Sequence, residues 1–140
     1  MRSYRWRRRT RGQAMVEFAL ALPLLILIVV GMLDFGRAIF SYNSLSNAAR
    51  SAARVAIVNQ STTAIEDAAR REAVGLDPIT VVVTYTKDGT ACSAVERGCI
   101  ARVQITHDWM PATPIINGIV GPITLDSSAQ MLVEYAPVSP

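Results

Sequence analysis

From Gln13 to Leu33 the chain is almost uninterrupted apolar sequence, and Glu17 is its only charged side chain. About 21 helical residues at about 1.5 Å each cover the roughly 30 Å hydrocarbon core of a bilayer, so this stretch predicts a membrane-spanning helix. Pro23 predicts a kink, because proline lacks an amide hydrogen and its ring crowds the carbonyl four residues back. Beyond Leu33 the pattern changes from solid to striped. Phe35, Ala38, Ile39, Tyr42, Leu45, Ala48, Ala49, Ala52, Ala53 and Ala56 recur at spacings of three and four, the signature of one helical face. The same helix is therefore expected to run to about Val58, some 45 residues and about 68 Å. Small side chains along such a stripe allow a close neighbour, either the chain's own sheet or a second subunit, and the two can apply at different levels.

Asn59-Gln60-Ser61-Thr62 breaks the pattern. Thr63 with Glu66 reads as a capping box opening a second helix, whose apolar side is Ile65, Ala68, Ala69 and Ala73. Gly75 is placed to end it and Asp77-Pro78 to prevent its continuation. The β-branched run Ile79 to Thr86 then predicts a strand, Lys87-Asp88-Gly89-Thr90 a turn, and the alternation from Ile100 to His107 a second strand. These two should form an antiparallel hairpin with a long tip. Ile115 to Val120 is expected as a short apolar turn of helix on the core, and the alternation from Ile123 to Tyr135 as the last strand. The fold class is α+β: a long N-terminal transmembrane helix extended into a small head with a second helix and an antiparallel sheet of about three or four strands.

Charge adds orientation. The whole chain carries 14 basic and 11 acidic side chains, but six arginines (Arg2, Arg5, Arg7, Arg8, Arg9, Arg11) precede Gly12, leaving a balance of −3 from residue 13 onward. A basic cluster beside an apolar span holds that end in the cytoplasm and sends the remainder outside. That position favours topology over nucleic-acid binding, the other common use of an arginine cluster. A secretory signal peptide shares the basic and apolar arrangement, but its apolar region is shorter, about 7 to 15 residues, and ends in a small-x-small cleavage site absent here. The chain divides into a leader, 1–12; a long helix, 13–58, spanning over about 13–33; and a head, 59–140, small enough for one core.

Candidate chemistry is sparse. Cys92 and Cys99 fall in the tip between strands, outside the cytoplasm, and read as a disulfide closing a short loop, with reduced thiols as the other possibility. Two cysteines are too few for a structural zinc site. His107 and Asp108 are neighbours but adjacent strand residues point to opposite faces, and no nucleophile motif accompanies them. Neither phosphate-binding glycine pattern occurs. The chain reads as a non-enzyme without cofactor or metal. Trp109 is expected in the core. Glu17 is costly in hydrocarbon, about 2.5 to 3.5 kcal/mol on insertion scales, and needs either an escape to the headgroups or a partner.

Gly12-Gln13, then Glu17-Phe18, ahead of an apolar helix, resembles the class III prepilin-like cleavage signal of the tight-adherence (Tad) system. Glu17 to Pro23, Asp34-Phe35-Gly36-Arg37-Ala38, Asn47-Ala48-Ala49-Arg50 and Ala52-Ala53-Arg54 are similar to the TadE-like pseudopilins, densely over about residues 11 to 58, and Pro114 to Glu134 also looks like that family's end. The resemblance implies a minor pseudopilin of Flp-type pilus biogenesis, serving adhesion or secretion, in the bacterial inner membrane. It implies processing between Gly12 and Gln13 by a prepilin peptidase that recognises Glu17 and Phe18. Other pseudopilins, the Tad inner-membrane machinery and the Flp pilin are its implied partners. It further implies pairing of Glu17 with the freed α-amine of a neighbouring subunit. The competing class is an uncleaved single-pass membrane protein whose head binds a ligand or partner.

Overall fold

A computed structural model of the chain describes residues 9–134, with side chains from Gly12 onward. Helix α1, Arg9–Ala56, is a single rod of 48 residues running unbroken through Pro23, about 70 Å long at 1.5 Å per residue. Its end comes two residues before Val58: Val58 and Asn59 both donate to the carbonyl of Val55, tightening the last turn.

Helix α2, Thr62–Glu72, lays Ile65, Ala68 and Ala69 against the core, and Ser44 Oγ of α1 donates to the Glu72 carbonyl at 3.0 Å. The expected capping box does not form. The helix begins two residues earlier, with Ser61 as N-cap and no side-chain cap bond, and the Thr63 hydroxyl lies 2.8 Å from that of Ser61 instead. Gly75 follows with φ +77°, the left-handed conformation for which glycine carries no Cβ penalty.

Four strands form one antiparallel sheet in the order β2-β1-β3-β4: β1, Thr80–Lys87; β2, Thr90–Ala91; β3, Ile100–Trp109; β4, Ile123–Leu132. Two-residue β2 belongs to the tip expected as loop. Asp88 and Gly89 both adopt positive φ, 49° and 80°, the backbone of a tight two-residue hairpin turn, and Lys87 pairs with Thr90 across it. The central register places Val83 opposite Val103, and Val103 opposite Ala129. Period-two alternation then sends Val81, Val83 and Tyr85, Ala101, Val103 and Ile105, and Leu125, Ala129 and Met131 to one face. That face meets the small-residue stripe of α1, where Leu45, Ala48, Ala49, Ala52, Ala53 and Ala56 are fully buried.

The chain's own sheet thus covers the upper stripe only. Phe35, Ile39 and Tyr42, its lower part, remain exposed. Helix α3, Pro114–Val120, departs further from expectation: none of its residues is buried, so it does not lie on the core of the head. Trp109, at the end of β3, is buried.

Candidate functional site

The sheet lies alongside the upper half of α1, with β3 running in the opposite sense to the helix, and three hydrogen bonds fix the alignment. Near the top, Tyr85 Oη donates to the Ala56 carbonyl at 3.1 Å; burial pushes the Tyr85 phenol above its ordinary range. At the bottom, the amides of Ala112 and Thr113, just past β3, donate to the two carboxylate oxygens of Asp34, each at 3.1 Å. Residues 34–56 of a helix span about 33 Å, and the eleven steps from Ala101, opposite Tyr85, to Ala112, three residues past the end of β3, reach at most about 36 Å as extended chain. The lengths agree, so the head clasps the rod from Ala56 down to Asp34 and no further.

Below Asp34 the rod is bare apart from α3. The helix carrying residues 12–56 contains a stretch long and apolar enough to cross a membrane, with none of it buried inside the protein. Gly12, Gln13, Glu17 and Phe18 lie at its start, on consecutive turns of α1. Gln13 Nε2 donates to Glu17 Oε1 at 3.0 Å, and both groups are exposed. A neutral amide four residues back is the partner the described chain gives Glu17; it supplies a hydrogen bond but no charge. Phe18 points outward. Arg2, Arg5, Arg7 and Arg8 of the basic leader, and Tyr135 of the expected last strand, lie outside the described residues.

Asp34 is a residue that the hydropathy pattern passed over. Its side chain is almost wholly buried, at 5% exposure, yet it sits one residue after the apolar span. The Thr113 side chain, then the Ala112 and Thr113 amides and the Arg37 guanidinium, hold its carboxyl below the usual carboxylate range against the opposing effect of burial. The Thr113 hydroxyl is itself buried without a partner in hydrogen-bond geometry, so it acts on Asp34 as a nearby dipole. Arg37 Nη1 stands 3.4 Å from Asp34 Oδ1 and keeps most of its guanidinium in solvent. The signal in the sequence was a carboxylate at the border of a span followed, 78 residues later, by an irregular stretch with free amides, and nothing local joins those two.

Cys92 and Cys99 lie at the opposite end of the sheet from Asp34. Their sulfurs are in bonding contact with Cα atoms 6.6 Å apart, and Cys92 N donates to the Tyr85 carbonyl at 2.9 Å. Lys87 Nζ meets Glu96 Oε1 at 2.9 Å across the same tip, which raises the lysine's affinity for its proton. The tip and the Gly12 to Phe18 segment are therefore separate places. His107 Nδ1 lies 2.9 Å from the Pro78 carbonyl and Asp108 accepts from Thr124 Oγ1 at 2.7 Å, so the neighbouring pair is divided between different partners. Among the described residues no three His, Cys, Asp or Glu side chains gather to hold a metal ion.

Residues 12–54 match the family model described as TadE-like protein. The matched segment starts at Gly12 and runs along α1 to within two residues of its end; Pro114 to Glu134 lies outside it. No match was found among curated proteins or among solved structures.

Proposed function

We propose that the chain is a minor pseudopilin of a Tad-type pilus system, made with a basic cytoplasmic leader, inserted once through the inner membrane, and cleaved between Gly12 and Gln13 by a prepilin peptidase. The observation that supports this most is the family match beginning at Gly12 itself and following the one helix that could span a bilayer. The protein then acts as the peptidase's substrate and afterwards as a structural subunit, working with other pseudopilins and the Tad inner-membrane machinery in assembly of a Flp-type pilus for adhesion or secretion.

The physical logic rests on Glu17. In hydrocarbon its carboxylate costs about 2.5 to 3.5 kcal/mol on insertion scales unless paired, and Gln13 offers it no positive charge. Cleavage creates an ammonium on Gln13, but on the same rod one turn away; a neighbouring subunit at a small axial offset presents that ammonium to Glu17 directly. Two desolvated charges of opposite sign offset one another's cost. The exposed lower stripe, Phe35, Ile39 and Tyr42, gives the two rods an apolar flank along which to meet.

Co-production with the prepilin peptidase of its own system tests the processing step. The wild-type chain is expected to shift in mobility by loss of the leader, and Gly12→Val to remain full length, because a branched side chain blocks close approach to the scissile bond. A wild-type chain left intact by a peptidase that cleaves its own pilin would overturn the proposal.

A further inference from the structure

The segment between β3 and β4 is a long excursion rather than a turn, and its composition is distinctive. From Met110 to Leu125 it contains no charged residue. It hangs from the end of the sheet nearest the apolar half of α1, since Ala112 and Thr113 are tied to Asp34. Helix α3 then stands beside α1: Ile116, three residues past Thr113, lies where a methyl group added at Gly31, three residues before Asp34, would be 3.7 Å from its Cδ1. Ile119 lies one turn further along α3. Its side chain is 80% exposed, Ile115 on the same face 61% and Val120 53%. An apolar face this open on a seven-residue helix is unexplained by the head's own packing.

We propose that α3 is a lipid-contacting foot: Ile115, Ile119 and Val120 enter the outer leaflet of the bilayer beside the transmembrane helix, with Asp34 fixing the foot at headgroup depth. The occupant follows from continuity. Gly31, against which α3 rests, belongs to the same apolar stretch that ends at Leu33, so any bilayer thick enough to cover that stretch reaches the level of α3. Asp34 and Arg37, ion-paired at 3.4 Å, stand where the polar headgroups begin, and Arg37 keeps its guanidinium free to meet phosphates. Burying an uncharged apolar helix at that boundary is favourable in the way interfacial amphipathic helices are. The foot holds the head against the membrane surface and limits its tilt. This inference rests on the reading that α1 spans the bilayer.

Depth-dependent fluorescence quenching on the full-length protein in phosphatidylcholine and phosphatidylglycerol vesicles tests it, with the cysteine pair left oxidised. A polarity-sensitive probe is attached singly at Ile119→Cys, at Met32→Cys on the exposed side of the span, and at Asp67→Cys on the exposed face of α2. The Ile119 probe is expected to be quenched by lipids carrying a shallow nitroxide and to be several-fold less sensitive to aqueous iodide than the Asp67 probe. If Met32 reports lipid while Ile119 is quenched by iodide as strongly as Asp67, the foot is wrong and the span stands. If Met32 itself reports water, the spanning reading fails and takes the foot with it. Protection of Ile119 from both quenchers would place it against a second copy of the chain, and would equally overturn a lipid contact.

Discussion

Glu17 and the two cysteines carry different kinds of argument at the scale of single residues. The Glu17 carboxylate is exposed and, among the described residues, hydrogen-bonded to the Gln13 amide alone, so nothing in its own described surroundings compensates a charge in hydrocarbon. Glu17→Gln keeps that hydrogen-bonding ability and removes the charge; Glu17→Leu removes both. Both variants should be inserted and cleaved nearly as well as wild type and should lose crosslinking to partner pseudopilins. Wild-type crosslinking by either would reduce Glu17 to a carboxylate that reaches the headgroups. For the tip, closing an eight-residue loop restricts the unfolded chain by about 2 to 3 kcal/mol in the loop-entropy account. Replacing Cys92 and Cys99 by serine should lower the unfolding free energy of the head by that order while leaving membrane insertion intact. Free thiols found by labelling of the native protein taken from an oxidising compartment would remove the disulfide from the account.

At the scale of elements, α1 serves three environments with one continuous helix. Its first half is apolar all round, its middle exposes Phe35, Ile39 and Tyr42, and its last four turns bury leucine and alanine beneath the sheet. Leu45→Ala opens a cavity in that buried contact and should destabilise the head by about 2 to 5 kcal/mol in chemical denaturation. Phe35→Ala removes a larger side chain that is 67% exposed and should change stability by less than about 0.5 kcal/mol. Equal losses from both would mean that the lower stripe is covered by the head after all. This division marks the limit of what periodicity reveals. Spacings of three and four identified the buried face from Leu45 to Ala56, but below it the line of burial passes through Ser44, Ser41 and Asp34, polar residues that an apolar stripe leaves out, while Phe35, Ile39 and Tyr42 stay exposed. The strands were legible for a firmer reason: a period of two leaves each residue only two choices of face, and Val103 and Ile105 could not be misplaced without exposing the whole row. The capping box failed because Ser61 and Thr63 satisfy one another, a local competition that the spacing of Thr63 and Glu66 does not disclose. The Asp34 contact joins residues 78 apart and is set by the equal lengths of a helical and an extended segment, which only the assembled fold brings into correspondence.

At the scale of the whole molecule, the structure is a rod with a head clasped to its upper half and an apolar lower half left bare. That asymmetry is what a subunit needs if it is to stand in a membrane before joining an assembly: the head has its own core against the upper rod, while among the described residues the rod below Asp34 has no partner except α3. The Gly12 to Phe18 segment sits at the end of this rod away from the head, separated from it by the full apolar stretch, so cleavage there would alter charge and length without disturbing the fold above. Removal of the leader would take away six arginines and leave a new ammonium one turn from Glu17. The central claim, that the mature protein begins at Gln13, is tested most directly by the intact mass and N-terminal peptide of the protein isolated from membranes of cells that make the full pilus system. The account predicts a chain shortened by residues 1–12 with Gln13, or a modified Gln13, at its amino end; a mature protein that retains Arg2 to Gly12 would contradict it.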